Sequence, residues 1–300
     1  MNNYYNITAP AKLNLNLFVG DKALEGLHFI ESDICFLELK DVIYFKFSSK
    51  DTFQQNNYNS FIINPKDNLI LSAMNKFRSL TGWDKKFEIF LDKKIPIGAG
   101  LGGGSANAAA TLILLRNLFN KENKKNKISI SKITEIGNEL GSDVPACLIS
   151  KDLKLKGYGT EIKRIKIPSG YLFIVINPNK ILSTKSVFEK HSEFSTLNKE
   201  KKNHFFENIK IHNSLLPSAA NLVPQITKIL TTLREIPNIV AYGMTGSGST
   251  CFGIFNNMND NSDLNKYFNK NYFFWSGHKA NYSLNRVCCS KMLENKLQIM

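Results

Sequence analysis

The sequence predicts an α+β protein of two domains. Three observations carry that expectation. Strand-like and helical segments alternate along the chain, and a glycine-rich loop runs into a long alanine-rich helix in the first half. The character of the chain then resets near Pro168, after the basic stretch Lys163–Lys166, which divides residues 1–167 from 168–300. A chain of 300 residues can bury a sizeable core.

In order, residues 11–20 and 33–47 alternate or run apolar (Leu13, Leu15, Leu17, Val19; Ile34, Phe36; Ile43, Phe45) and read as strands. From Asp67 to Leu80, the apolar Leu69, Ile70, Ala73, Met74 and Phe77 fall at helical spacing. Phe87–Leu91 alternates as a strand, and Ile95-Pro96 leads into the glycine loop. Ala106–Phe119, without Pro or Gly, is a strong helix, and Ser131–Leu140 is another, stopped by Gly141 at the C′ position. Tyr171–Ile176 is a short buried strand closed by Asn177-Pro178. Asn221–Leu233 reads as helix, and Ile239–Tyr242 and Cys251–Phe255 as strands around a second glycine-rich turn.

Composition narrows the function. Hydrophobic residues at 43% and charged residues at 21% are ordinary for a globular protein. No run of about 18 apolar residues occurs, so no membrane partner is expected. The first twenty residues carry no basic n-region and no uninterrupted apolar stretch, so no signal peptide and a cytoplasmic location are expected. The five cysteines (35, 147, 251, 288, 289) show no metal-site spacing and read as reduced thiols. A net charge of +14 raises the question of nucleic acid. Yet the basic residues are 34 Lys and only five Arg, beside 35 Asn, a drift of the whole chain rather than a built surface, so no nucleic-acid partner is expected. Attraction of an anionic substrate survives that discount.

The chemistry concentrates in four places. Pro96-Ile-Gly-Ala-Gly-Leu-Gly-Gly-Gly-Ser105 removes side chains so that backbone N–H groups can close on an anion, and the following helix aims its N-terminus at the same spot. That is a phosphate cradle. The pattern Gly98-x-Gly100-x-x-Gly103 alone would also suit a dinucleotide, but some 95 residues precede it, and Walker A fails because Gly104 replaces the lysine. No HRD or DFG is present. The other three segments are Pro10-Ala-Lys-Leu-Asn14, with Lys12 and Asn14 on one strand face, Gly141-Ser-Asp-Val-Pro145 past a helix end, and Gly243-Met-Thr-Gly-Ser-Gly-Ser-Thr-Cys251 between two strands.

In this order and at these separations the four segments resemble the galactokinase–homoserine kinase–mevalonate kinase–phosphomevalonate kinase (GHMP) superfamily, over about residues 9 to 255. Gly26-Leu27-His28, Asp67-Asn68-Leu69, the triple glycine Gly102–Gly104 before Ser105, and Ser183-Thr184 before Phe188 are most similar to one branch. That branch phosphorylates the 2-hydroxyl of a cytidine-diphosphate-linked methylerythritol in non-mevalonate isoprenoid synthesis. The resemblance implies the two-domain GHMP kinase fold, with an N-terminal ATP-binding domain like ribosomal protein S5 domain 2 and a ferredoxin-like C-terminal substrate domain.

It further implies ATP and Mg²⁺, a small anionic substrate carrying cytidine diphosphate, and a monomer or homodimer. Lys12 and Asp143 would be catalytic, Asp143 as general base. Asn68, Pro96, Gly98, Gly100, Leu101, Gly102, Gly103, Gly104 and Ser105 would bind ATP, with Ser105 also on the metal. Asn14, His28, Phe188, Thr245, Gly246, Ser247 and Gly248 would hold the substrate, His28 and Phe188 at cytosine. The chain departs from the branch at Leu27, where Tyr is usual, at Asn213-Ser214, where Asn-Asp is usual, and at Ala106, often a second Ser. His191, His204, His212 and His278 have no counterpart in the pattern and are assigned surface or packing roles.

Two other functions stay open on the residues alone. Another alcohol kinase of the superfamily, for homoserine, mevalonate or a sugar, is opposed by the Gly26-x-His28 element and Phe188. A nucleotide- or metabolite-binding sensor that transfers nothing is opposed by Lys12 with Asp143, since a pure binder needs no base.

Overall fold

A computed structural model of the chain describes residues 3–22, 28–56, 67–159, 161–194, 204–256, 264–283 and 286–291. Gly26 and Leu27 of the branch-specific motif lie outside the described residues. The first half contains β1 (Asn3–Asn14), β2 (Asn16–Lys22), β3 (His28–Ser48), β4 (Thr52–Gln55), α1 (Leu69–Thr81), β5 (Lys86–Asp92), α2 (Gly103–Glu122), α3 (Ile130–Leu140), α4 (Val144–Ile149), β6 (Leu153–Gly157) and β7 (Glu161–Arg164). The second half adds β8 (Leu172–Asn177), α5 (Thr184–Phe194), β9 (His204–Phe206), β10 (Ile209–Asn213), α6 (Leu216–Leu222), α7 (Gln225–Glu235), β11 (Ile239–Met244), β12 (Cys251–Phe255), β13 (Phe273–Gly277) and β14 (Val287–Lys291).

Two sheets organise these elements. The larger runs β14–β1–β3–β2–β10–β9, and other stretches of the long β3 pair with β5 (then β4) and with β6 (then β7). Ile7, Ala9, Ala11 and Leu13, at period two along β1, are fully buried, as a strand with one face on the core requires. The expected single strand over residues 11–20 bends at Leu15, whose N–H turns to the Asp33 carbonyl (2.9 Å), so Leu13 and Leu17 fall in different strands. The smaller sheet is antiparallel, ordered β13–β8–β12–β11. Taken in chain order its strands stand 4-1-3-2, the ferredoxin-like arrangement.

Two helices differ from expectation. α2 starts three residues early, at Gly103, because Gly102 sits in the left-handed region (φ +65°) and its carbonyl already accepts from Ala106 (2.8 Å). The helix expected over 221–233 is two helices. Pro224 supplies no N–H and disfavours helical backbone at Val223 (φ −132°), so α6 ends there and α7 restarts at Gln225. Gly141 ends α3 in extended backbone (φ 160°).

Three packed interiors result. One joins α1–α4 to the larger sheet, where Ala106, Ala108, Ala109 and Ala110 let α2 lie close. A second, with Ala11, Leu13, Leu37, Leu101, Val175 and Phe252, fuses the two sheets to each other. The third seats α5, α6 and α7 on the smaller sheet, through Val187, Ala219 and Ile229. Cys35, Cys147 and Cys251 are buried within them, and burial pushes the Cys147 thiol up to about 12. Among the described residues no helix is long and apolar enough to cross a membrane.

Candidate active site

The exit of β5 fixes the glycine loop. Asp41 of β3 is fully buried. Its Oδ1 accepts the backbone N–H groups of Lys94 (2.7 Å) and Ile95 (2.8 Å), and its Oδ2 takes the Lys93 ammonium at 2.7 Å. Lys93 also donates to the Ile95 carbonyl. Burial pushes the Lys93 pKa down, and Asp41 pulls it partly back. Neither residue was marked by the sequence.

Beyond this turn the loop bends through Gly100 (φ +75°) and Gly102 (φ +65°). A β-carbon on Gly100 would stand 2.6 Å from the Thr245 carbonyl oxygen and 2.7 Å from that of Gly248. The two glycine-rich turns therefore meet backbone to backbone, which no larger residue permits. α2 begins at Gly103 with no side chain capping it, so its first N–H groups and the positive end of its dipole face outward for an anion.

They face a cavity of about 630 Å³. Pro96, Gly98, Gly100, Gly102, Gly103, Gly104, Ser105 and Asn68 line one side of it. Leu101 does not: its side chain is buried in the core, and its carbonyl accepts the Lys12 N–H at 2.9 Å. Asn68 caps α1 by accepting from Ile70 at 2.9 Å, leaving its Nδ2 without a partner among the described residues. Asn107, one turn into α2, also lines the cavity with a buried, unpartnered Oδ1. The sequence did not single it out, since a polar residue in an alanine-rich helix reads as solvent-facing.

Lys12 and Asp143 meet at the floor. β1 delivers Lys12 just past an irregularity in its pairing with β3. Asp143 stands at the start of α4, where Pro145 suits the first turn and the Asp143 side chain caps nothing. Lys12 Nζ lies 3.0 Å from Asp143 Oδ1 and 2.9 Å from Oδ2, with side-chain exposures of 5% and 33%. A β-carbon on Gly102 would touch Lys12 Cε at 3.2 Å, so the pair lies directly against the glycine loop.

The second half adds to the lining. Gly246 and Ser247 line the cavity, whereas Thr245 and Gly248 stand behind them. Thr245 Oγ1 accepts the Asn14 N–H at 2.9 Å. Asn14 itself lines the cavity, donates to Ser32 Oγ at 2.7 Å and keeps a buried, unpartnered Oδ1. Asn213 Nδ2 holds the turn by donating to the carbonyls of Met244 (2.8 Å) and Gly246 (2.9 Å). Phe188 of α5 lines the cavity; His28 does not, but tilts onto the Phe188 ring at 5.1 Å between centroids. His212 stacks on Phe18 at 4.7 Å, away from the cavity lining.

Residues 68–151 match the family model of the GHMP kinases N terminal domain, and residues 197–272 that of the GHMP kinases C terminal. The backbone superposes with a TM-score of 0.72 on a crystal structure of a 4-(cytidine 5'-diphospho)-2C-methyl-D-erythritol kinase, 23% identical, covering 92% of this chain and 100% of that one. A homoserine kinase from Cytophaga hutchinsonii gives 0.63 at 13% identity, covering 97% and 98%. A glycine loop at a helix N-terminus with a lysine–carboxylate pair directly against it belongs in that setting: the chain is a GHMP kinase. Among sequence relatives, a 4-diphosphocytidyl-2-C-methyl-D-erythritol kinase of Thermodesulfovibrio yellowstonii is 31% identical over 274 residues, 87% of this chain and 93% of the relative. That of Wolbachia pipientis wMel is 33% identical over 263 residues, 83% and 88%. The chain belongs to the 4-diphosphocytidyl-2-C-methyl-D-erythritol kinase family.

Proposed function

We propose that this cavity carries ATP-dependent phosphorylation of the 2-hydroxyl of 4-diphosphocytidyl-2-C-methyl-D-erythritol, a step of non-mevalonate isoprenoid precursor synthesis. The observation that carries the reading is the Lys12–Asp143 pair, held at 2.9–3.0 Å in the cavity that both glycine-rich turns line. Two polyanions have a place each, and the pair stands where they meet.

Asp143 accepts the hydroxyl proton as that oxygen bonds to the γ-phosphorus, whose bond to the β–γ bridging oxygen breaks to release ADP. Lys12 stabilises negative charge on the transferring group and gains most from it in the transition state. Pro96, Gly98, Gly100 and Gly102–Ser105 hold the ATP phosphates with Asn68 beside the nucleotide, and the Lys93 cation adds positive charge beneath α2. Asn14, Gly246 and Ser247 hold the substrate diphosphate and polyol, with Thr245 and Gly248 shaping the turn behind them, and His28 and Phe188 hold the cytosine.

Among the described residues no group of three His, Cys, Asp or Glu is placed to hold a metal. A Mg²⁺ ion bound with ATP would take the Ser105 hydroxyl, which lines the cavity, as its protein ligand and would supply neutralisation of phosphate charge.

The test is ADP release by the purified chain with the cytidylyl substrate, homoserine, mevalonate and galactose. Turnover with the cytidylyl substrate alone is expected. ATP binding without turnover on any alcohol would overturn the reading in favour of a sensor, and turnover confined to another alcohol would reassign the substrate.

A further inference from the structure

Gly141 ends α3, and its carbonyl accepts the Val144 N–H at 3.0 Å, which closes a tight turn before α4. Ser142 and Asp143 are the two central residues of that turn. Asp143 (φ −85°, ψ −15°) has the backbone that the third position of such a turn requires. Consecutive α-carbons stand only about 3.8 Å apart. The turn therefore sets a hydroxyl and the carboxylate side by side, and both residues line the cavity.

The Ser142 hydroxyl is uncommitted. Ser142 is exposed, and its side chain makes no hydrogen bond among the described residues. Two other cavity hydroxyls, those of Thr184 and Ser247, lie 3.0 Å apart and satisfy each other. The tip of the β6–β7 turn comes near Ser142 without crowding it, since a β-carbon on Gly159 would stand 3.9 Å from Ser142 Cβ. Neither packing nor an internal hydrogen bond accounts for a hydroxyl at this place.

The acceptor alcohol offers a partner. In an erythritol chain the 2-hydroxyl is flanked, one carbon away on either side, by the 1- and 3-hydroxyls. With Asp143 on the 2-hydroxyl, a flanking hydroxyl falls beside the residue next to Asp143 in the chain. A serine hydroxyl both donates and accepts, so it suits that second hydroxyl whichever way its hydrogen points. We infer that Ser142 is a further substrate-binding residue: its hydroxyl holds the hydroxyl next to the one phosphorylated, and the site thereby favours a vicinal polyol over an isolated alcohol. The assignment rests on the acceptor and on the role of Asp143 proposed above.

Its test is the steady-state kinetics of wild type and Ser142→Ala with the cytidylyl substrate and with its two deoxy analogues, lacking the 1- or the 3-hydroxyl, beside the thermal midpoint of each protein. Ser142→Ala should lower kcat/KM for the full substrate roughly 3–10-fold, the worth of one hydrogen bond, and leave the KM for ATP and the thermal midpoint in place. One of the analogues should lose about as much on wild type, and with that analogue Ser142→Ala should lose nothing further. Losses that simply multiply for both analogues, or a rise confined to the KM for ATP, would place the hydroxyl away from the polyol and overturn the inference. Normal turnover by wild type with an indifferent Ser142→Ala would remove this inference alone, whereas no turnover by wild type would remove the substrate reading and this inference together.

Discussion

The Asp41 carboxylate and the Lys93 ammonium meet at 2.7 Å with side-chain exposures of 0% and 2%, beneath the first turn of α2. A β-carbon on Gly103 would stand 3.2 Å from Lys93 Nζ, so this buried ion pair underlies the glycine loop at the start of α2. Asp41 also accepts two backbone N–H groups, which ties the charge pair to the path of the chain into the loop.

Removing one partner of a buried pair strands the other charge, at a cost of about 3–5 kcal/mol. Asp41→Ala should lose stability on that scale in urea unfolding, since Lys93 then keeps only the Ile95 carbonyl. Lys93→Met should lose less, because Asp41 retains its two backbone donors, but it should weaken binding of a non-hydrolysable ATP analogue. Calorimetric titration of a folded Lys93→Met variant with unchanged affinity would reduce the pair to scaffolding.

The glycines of the loop should separate into two kinds. On Gly104 a β-carbon would meet only Leu69 Cδ1, at 3.4 Å, so Gly104→Ala should fold normally while its methyl group crowds the cradle. The KM for ATP should rise on the order of tenfold with an unchanged thermal midpoint. Gly100→Ala collides with two backbone carbonyls, so its thermal midpoint should fall. Equal behaviour of the two variants in melting curves would contradict this division.

What the sequence made legible was local. Glycines at 98–104 against an alanine-rich helix, and apolar residues at period two in β1, declare themselves within a dozen positions. The Lys12–Asp143 pair spans 131 residues, and only resemblance to a known pattern joined its members. Asp41 and Lys93, 52 residues apart, are not marked by the sequence, because nothing local distinguishes a lysine about to be buried from a solvated one. The return of β14 to the edge of β1 has the same cause, as does the clasp of Asn213 on the Met244 and Gly246 carbonyls. The break between α6 and α7 was within reach, since Pro224 sits inside the apparent helical pattern.

Asp143→Asn keeps the shape of the catalytic pair and one oxygen for Lys12. On the role proposed for Asp143 as general base, kcat should fall roughly 10²–10⁴-fold while affinity for an ATP analogue stays within a few-fold. Lys12→Met is tolerable to the fold because the carboxylate it leaves behind is one-third exposed and water can solvate it. Its loss should fall on kcat more than on KM, on the order of 10²–10³-fold. Steady-state kinetics that place either effect in KM alone would remove that residue from the transfer step.

The last expectation concerns stability rather than turnover. An unfolded imidazole takes its proton near pH 6.5, and in the fold burial first, then His28, lowers that value for His191. Between the two values the unfolded chain holds a proton that the folded chain lacks. Stability should therefore fall as pH drops through about 6.5 toward the folded value and level off beneath it, whereas above 6.5 the group contributes nothing to the slope. His191→Phe removes this contribution and leaves every other histidine in place, so the difference between wild type and variant isolates it. Urea unfolding of both proteins at pH 8.0, 7.0, 6.0 and 5.5 should show wild type losing ground to the variant only over the acidic points. A difference that stays flat across the series would mean that His191 binds its proton as readily in the fold as out of it.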